Sequence, residues 1–442
     1  MNRLKSSKDY IKALDSSLEK AAKFVDNNKN FIINISKSPL YNDEPKIFAY
    51  TGTYKSRYKK STDIACGFSF NKKVALMRVL GEGIERYCLE HYKPKISFIG
   101  SLQDNNKDYL DPYSICAFSK KQLAEGNFKK FRIHNKALFR WTKGFSLKRK
   151  KNLLVPAQLV SFNYAPIKNE PTILPPISTG TATGLSLDDA VYRGICEIVE
   201  RDSFIISYLN KLPSPHVNLN SIKDIRIQRI LNKLRRYKLE IIVLDITTDL
   251  KIPAFVALTL DRTGLGPAVS VGLKAGFDIK ESIIGAIEES LMTRSWMRDK
   301  FIYLNPDYKP DKTIQRLEDR AYFWFPVDMI KELDFWLENK NIKRFTDDEL
   351  NFAKNKNKLN RAITLIEKNN MEIIYVDITH KAIKKNGFWV IRTIISQLHP
   401  LYLDEQYPYF GGRRLYEVPV KMKFFKRFKS ESQLNKIPHP FL

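Results

Sequence analysis

The chain has 442 residues, 43% of them apolar, and a formal charge of +27. That content suits one large globular body or two ordinary domains and excludes a disordered or fibrous chain. No run of 18 apolar residues appears and the polar start from Met1 to Tyr10 lacks a signal-peptide core, so the expectation is a cytoplasmic protein that does not span a membrane.

Residues 7 to 25 carry Tyr10, Ile11, Leu14, Leu18, Ala21 and Val25 at helical spacing. An irregular stretch rich in Asn, Ser and Pro follows to about residue 60, giving a lead-in (1–60) and a main domain (61–442). A second helix is expected from Lys72 to Tyr92, and a strand from Asn152 to Val160. The small-residue segment from Pro175 through Ser178, Gly180 and Ala182 to Gly184 reads as a loop. It feeds a third helix, started by Ser186 with Asp189 three residues on, a pattern like a capping box.

Lys and Asn are abundant everywhere, so the positive charge forms no stripe. The densest run, Lys148-Arg149-Lys150-Lys151, reads as a solvated loop without a nucleic-acid-binding signature beside it. Nucleic acid is not the expected partner. The four cysteines, Cys66, Cys88, Cys116 and Cys196, stand apart without CxxC spacing. Cys88 and Cys196 fall inside apolar helical patterns, as free buried thiols of a reducing compartment do. The six histidines show no metal-ligand spacing.

Two segments echo others. Glu82-Gly83-Ile84-Glu85-Arg86 matches Glu197-Ile198-Val199-Glu200-Arg201, and Glu240 to Thr247 matches Glu372 to Thr379. Each copy of the second echo follows a basic amphipathic helix and precedes another apolar run (Phe255 to Leu260; Phe388 to Ile395). The expectation is a mixed α+β fold, with helices packed on mixed sheets and a helix-strand-strand unit used twice.

Glu82 and Glu85 share a helix face, as do Glu197 and Glu200. Carboxylates converging on one site repel one another unless a cation is present, and magnesium is the hard cation that oxygen ligands and phosphates favour. Arg86 and Arg201, ending each motif, can then address phosphate oxygens. The same spacing also makes ordinary i,i+4 surface pairs, worth only about 0.2–0.5 kcal/mol each. The apolar residues around both motifs (Leu80, Ile84, Tyr87; Ile195, Val199, Phe204) argue for burial, where carboxylates need partners.

At these residues the chain resembles the YcaO superfamily. Gly67-Phe68-Ser69 through Ala75, Leu80, Glu82, Glu85, Arg86 and Tyr87 is similar to its first nucleotide-binding helix. Ser178 to Gly184, continuing to Glu197, Glu200, Arg201 and Asp202, is similar to its second motif, and Ala286-Ile287-Glu288-Glu289 with Arg294 to its third. Gly412 to Pro419 and the terminal Pro438-His439-Pro440-Phe441-Leu442 resemble the azoline-forming branch, the D proteins. The resemblance runs from about residue 60 to the C-terminus.

It implies the YcaO fold, ATP and Mg2+, and a cyclodehydratase. In that reaction a Cys, Ser or Thr side chain of a ribosomal precursor peptide attacks the preceding carbonyl, and ATP phosphorylates the former amide oxygen. Loss of phosphate leaves a thiazoline or oxazoline. Carried over by position, Glu82, Glu85, Glu197 and Glu200 hold the metal. Arg86, Asp189, Arg201, Glu289, Arg294, Ser178 and Gly180 border the nucleotide. Asp189 also reads as a helix cap, and Glu289 and Arg294 also read as a solvated helix face. Pro438 and Pro440 would place the Leu442 carboxylate as a base, where a terminal segment otherwise frays.

Arg78, Phe68, Ala182 and Met292 stand where the family commonly has Ser, Lys, Ser and Gln. The resemblance further implies a separate E1-like or leader-recognition partner, a flavin dehydrogenase in the same complex, and assembly as a homo-oligomer or hetero-complex. Two rival functions use the same fold: backbone thioamidation, and a non-catalytic scaffold that the four departures would suit.

Overall fold

Antiparallel strand runs alternate with long helices, giving a mixed α+β architecture built on three sheets. The computed structural model describes residues 16, 18–20, 31–57, 62–104, 108–115, 117–303, 314–351 and 357–442. The helix expected over residues 7 to 25 lies outside them, apart from residues 16 and 18–20, which are helical.

The stretch expected to be irregular before residue 60 instead supplies two strands. β1 (Ile32–Lys37) and β2 (Phe48–Lys55) pair antiparallel with each other and with β3 (Thr62–Ser69). In β2 Gly52 and Tyr54 lie on the face toward the next helix while Ala49 is buried on the other with Ile47 and Phe68, between turn-forming segments that mask the strand pattern in the sequence. Helix α1 (Lys72–His91) lies on this sheet. Asn71 caps it by accepting from the amides of Lys73 and Val74, and Ala75, Val79, Leu80, Ile84, Cys88 and Leu89 form its buried stripe. The approach is close: a Cβ at Gly67 of β3 would stand 2.1 Å from the Ala75 carbonyl oxygen, so only glycine fits there.

The chain then lays down β4 (Phe98–Gly100), the β5 (Phe139–Ser146) and β6 (Lys151–Pro156) hairpin, β7 (Thr181–Gly184) and helix α2 (Leu187–Leu209). The strand expected over 152–160 ends at Pro156, where residues 157–159 turn into a 3-10 helix. The basic run 148–151 is the exposed turn of that hairpin, and Arg149 pairs with Glu372 at 2.8 Å. The segment expected to loop from 175 to 184 does so only as far as Gly180, because Thr181–Gly184 pairs with a later strand.

Next come β8 (His216–Val217), α3 (Ile225–Arg235), β9 (Glu240–Asp245), β10 (Ala254–Leu260), β11 (Val269–Ala275) and α4 (Ile279–Tyr303). The last third adds β12 (Ile342–Lys343), α5 (Lys358–Lys368), β13 (Ile374–Asp377), β14 (Trp389–Ile394) and α6 (Arg413–Lys421). The second sheet runs β4-β5-β13-β14-β7, with β6 on β5, and the third runs β11-β10-β9-β8-β12.

The repeated helix-strand-strand unit is present twice, as α3-β9-β10 and α5-β13-β14, each with an antiparallel strand pair. The echoed Asp-Ile-Thr makes the same turn in both. The amide of Thr247 donates to Asp245 and its hydroxyl accepts from Ala254; Thr379 repeats both bonds with Asp377 and Val390. Helix α2 lies between the second and third sheets and is buried along most of its length. Cys88 and Cys196 are buried free thiols. Among the described residues no helix is long and apolar enough to cross a membrane.

Candidate nucleotide and metal site

Three long helices bring the acidic residues together: α1 carries Glu82 and Glu85, α2 carries Glu197 and Glu200, and α4 carries Glu289. A backbone amide from a strand or its lead-in holds an oxygen of each. Cys66 N–H donates to Glu82 at 2.9 Å, Gly180 to Glu197 at 3.1 Å, Ala275 to Glu200 at 2.9 Å and Leu273 to Glu289 at 2.5 Å. Glu85 takes its backbone bond from Thr183. Fixing one oxygen per carboxylate aims the other without an entropy cost at the moment of binding.

Their charges interact along a chain. Burial first, then the charge of Glu197, pushes Glu85 up to about 8. Burial first, then Glu200, pushes Glu289 up to about 7. Burial also raises Glu197, against the opposing pull of Arg201. Repulsion of this kind is what a bound cation relieves.

The cations stand among them. Arg86 reaches Glu82 at 3.6 Å, and Arg201 reaches Glu200 at 3.3 Å and Glu197 at 3.8 Å. The buried Arg201 Nε has no hydrogen-bond acceptor among the described residues, and Nη1 meets Glu200 only at ion-pair distance. A donor buried in that state calls for an anion. Among the described residues no three ligating side chains close into a cage that would hold a metal alone. Magnesium that keeps water and phosphate oxygens in its shell needs few protein ligands, and oxygen donors of this kind are the type it takes.

Gly180 has φ of +87°, and a Cβ there would stand 2.4 Å from the Thr393 carbonyl oxygen. Glycine lets the loop turn and present its amide to Glu197. Ser178 closes the same turn, its carbonyl accepting from Thr181. Asp189 is a helix-start residue: it accepts from Leu185 N–H and pairs with Arg193 at 3.0 Å, on the surface.

Arg294 is not a member of the cluster. It is buried with its donors committed to Glu44, Asp261 and the Pro267 carbonyl, so both the nucleotide-contact and the solvated-face expectations give way to a structural ion-pair network. Glu289 is half-buried beside Glu200 and is no solvated-face residue either.

The C-terminus does not fray. The Pro438 carbonyl accepts from Trp324 and Tyr208, Arg320 donates to the His439 carbonyl, and Pro440 and Phe441 are buried. The Phe441 ring lies 4.1 Å from the Arg201 guanidinium, which brings the tail to the edge of the acidic cluster. Leu442 is half-buried against the core beside it.

Two side chains that sequence reasoning missed belong here. Arg392 of β14 is buried, donates to Leu159, Thr181 and Ile177, and is drawn toward Glu197 and Glu85. Lys274 of β11 is exposed, and its charge acts on Glu197 and Glu289. Each is a lone cation in an otherwise apolar strand, a signal the sequence does carry.

Residues 66–399 match the family model described as YcaO cyclodehydratase, ATP- and Mg2+-binding. The chain belongs to the YcaO family. Its fold is similar to those of several solved structures. A heterocyclase in complex with substrate and cofactor superposes with a TM-score of 0.74 at 21% identity, over 97% of this chain and 57% of that one. The chain thus spans little more than half the length of that protein. YcaO from Methanopyrus kandleri bound with AMPPCP and Mg2+ gives 0.65 at 16% identity, over 90% and 94%. The E. coli microcin synthetase McbBCD complex gives 0.59 at 15% identity, over 82% and 87%. ATP and Mg2+ are the ligands of the YcaO family, consistent with the carboxylate and guanidinium chemistry of this cluster.

Proposed function

We propose that this YcaO protein is an azoline-forming cyclodehydratase acting on Cys, Ser or Thr of a ribosomal precursor peptide. The observation that carries the reading is the set of glutamates from α1, α2 and α4, each held by a backbone amide, with the under-bonded Arg201 among them. Glu82, Glu85, Glu197 and Glu200 hold the magnesium. Arg86, Arg201 and Lys274 face the phosphates, and Glu289 limits the charge on their far side.

When bound, MgATP supplies the phosphoryl group that turns the former amide oxygen into a leaving group. The chain's own part is positioning and charge neutralisation, which dominate catalysis of phosphoryl transfer. Arg201 is steadied between Glu200 and the Phe441 ring, so its unbonded Nε keeps one direction. The tail beside it supports the azoline reading over thioamidation, with the Leu442 carboxylate placed as the base that takes the proton from the attacking group. Proline at 438 and 440 lowers the entropy cost of that ordered path.

A separate E1-like or leader-recognition protein delivers the precursor, and a flavin dehydrogenase acts on the azoline in the same complex. The likeness to a multi-protein synthetase supports that arrangement. The test is product mass after incubation with MgATP, a partner and a Cys-containing precursor. Loss of one water per ring, matched by ADP release and abolished in Glu197→Gln, is expected. Exchange of oxygen for sulfur would replace this reading with thioamidation, and no mass change together with unaltered nucleotide binding in Glu82→Gln and Glu200→Gln would leave a scaffold.

A further inference from the structure

The third sheet is interrupted. β8 contributes only His216 and Val217, and its ladder with β9 has one register position, His216 opposite Leu244. Beyond it, Glu240 to Val243 have β10 on one side and a cleft of about 550 Å³ on the other. The Asp245 amide donates across this edge to the Pro215 carbonyl at 3.0 Å. In an antiparallel ladder alternate residues turn their backbone groups the same way, so the amides of Val243 and Ile241 also face the cleft.

The walls suit a peptide in side-chain chemistry too. Ile241, Ile242 and Leu231 are half-buried and Ile342 is 62% exposed, offering apolar contact on both faces of the missing strand. The charges are unbalanced. Glu240 is paired with Arg262 at 3.2 Å, whereas Arg235 and Lys340 at the rim are exposed and have no carboxylate partner among the described residues. A vacant strand position with free cations at its border is complementary to an extended, acidic chain.

We propose that this cleft binds an extended acidic segment of the peptide substrate as an added strand on β9, at a recognition site apart from the glutamate cluster. The proposal rests on the peptide-modifying reading above. Backbone pairing gives the affinity, the isoleucines take alternate apolar side chains, and Arg235 and Lys340 select acidic ones between them.

The test uses the full chain and fluorescein-labelled peptides of about twelve residues, alternating Val with Glu or Val with Lys. Anisotropy should show the Val/Glu peptide binding at least about tenfold more tightly, a difference lost in Arg235→Glu/Lys340→Glu. Hydrogen exchange should show new protection at the Ile241 and Val243 amides. Equal binding of the two peptides, or protection elsewhere, overturns the proposal, as does protection of these amides by a second copy of the chain alone. Binding of a fluorescent ATP analogue, read in the same variants, should be unchanged. If peptide binding behaves as stated but no ATP-dependent modification occurs, the cleft stands and the cyclodehydratase reading falls.

Discussion

The guanidinium of Arg201 lies 4.1 Å over the ring of Phe441, joining the last turn of the acidic motif in α2 to the penultimate residue of the chain. Arg201 also touches Glu200 and Glu197, so one side chain connects the carboxylates, an unbonded Nε donor and the tail. An aromatic face under a guanidinium contributes about 0.5–2 kcal/mol, depending on how dry the contact is. Its geometric effect matters as well, because together with the Glu200 ion pair it fixes where the unbonded Nε donor points.

Phe441→Leu should therefore separate packing from positioning. It keeps an apolar side chain in the core but removes the π face, and a large aliphatic for aromatic exchange costs less than the about 3–5 kcal/mol of Phe→Ala. The expected result is a near-normal melting temperature with a raised KM for ATP. Steady-state ATP turnover beside a melting curve checks it. An unchanged KM in a folded Phe441→Leu would show that the ring only fills space.

The raised carboxyls set a pH dependence with a definite sign. Glu85 stands at about 8 and Glu289 at about 7, both through burial first, then through Glu197 and Glu200 respectively. The folded protein thus holds these protons more tightly than the unfolded chain, where the value is near 4.5. Their stabilising contribution is complete below about pH 4.5 and is lost as pH rises through about 7 to 8. Without metal, the melting temperature should fall between about pH 6 and 8.5, and Glu85→Gln should flatten the fall. Magnesium with a non-hydrolysable ATP analogue needs the charged forms, so its affinity should rise over the same interval with release of protons. Calorimetry in two buffers of different ionisation enthalpy measures that release.

Asp202, the residue after Arg201, is fully buried and takes a forked pair from Arg414 at 2.7 and 2.9 Å; Arg414 also reaches Asp249 at 2.9 Å. Arg414, the second arginine of the Gly-Arg-Arg motif, thus ties α6 to α2, whereas Arg413 is exposed and pairs with Glu417 on its own helix. Removing one partner of a buried pair leaves a charge without compensation and costs about 3–5 kcal/mol. Arg414→Ala and Asp202→Ala should each lose that much in urea unfolding, and the double variant should lose less than their sum. Strict additivity would mean the two do not act as a pair.

The glutamates and the repeated strand units were legible because each rests on local periodicity. Two residues of like charge three apart define a helix face wherever the helix lies, and Asp-Ile-Thr closes its turn within a few residues. An ordered tail was suggested only by the family resemblance and not by local pattern, since Trp324, Tyr208 and Arg320, which hold it, are remote in sequence. Arg294 failed for the same reason: its motif position suggested phosphate, but Glu44 and Asp261 arrive from elsewhere in the chain. β1 and β2 were hidden because short strands between Pro, Asn and Gly segments give little periodic signal, and pairing with β3 decides them.

Arg78 is the departure from family pattern that the structure explains most directly. Glu288 of α4, 2% exposed, accepts from Ser69 Oγ at 2.6 Å and Phe70 N–H at 2.8 Å, and Arg78 approaches it at 2.6 Å from α1. The Arg78 side chain is 40% exposed, so its half of the pair is screened and worth no more than about 1 kcal/mol. Arg78→Ser should accordingly melt close to the parent. Glu288→Ala leaves buried donors unsatisfied at about 1–3 kcal/mol each and should lower stability far more. Glu288→Gln, which still accepts from Ser69 and Phe70, should fall between the two. If Arg78 serves only this join between α1 and α4, ATP affinity in Arg78→Ser should also stay within about twofold of the parent, a change of under about 0.5 kcal/mol. A larger loss of affinity in a protein that melts normally would place Arg78 at the nucleotide instead.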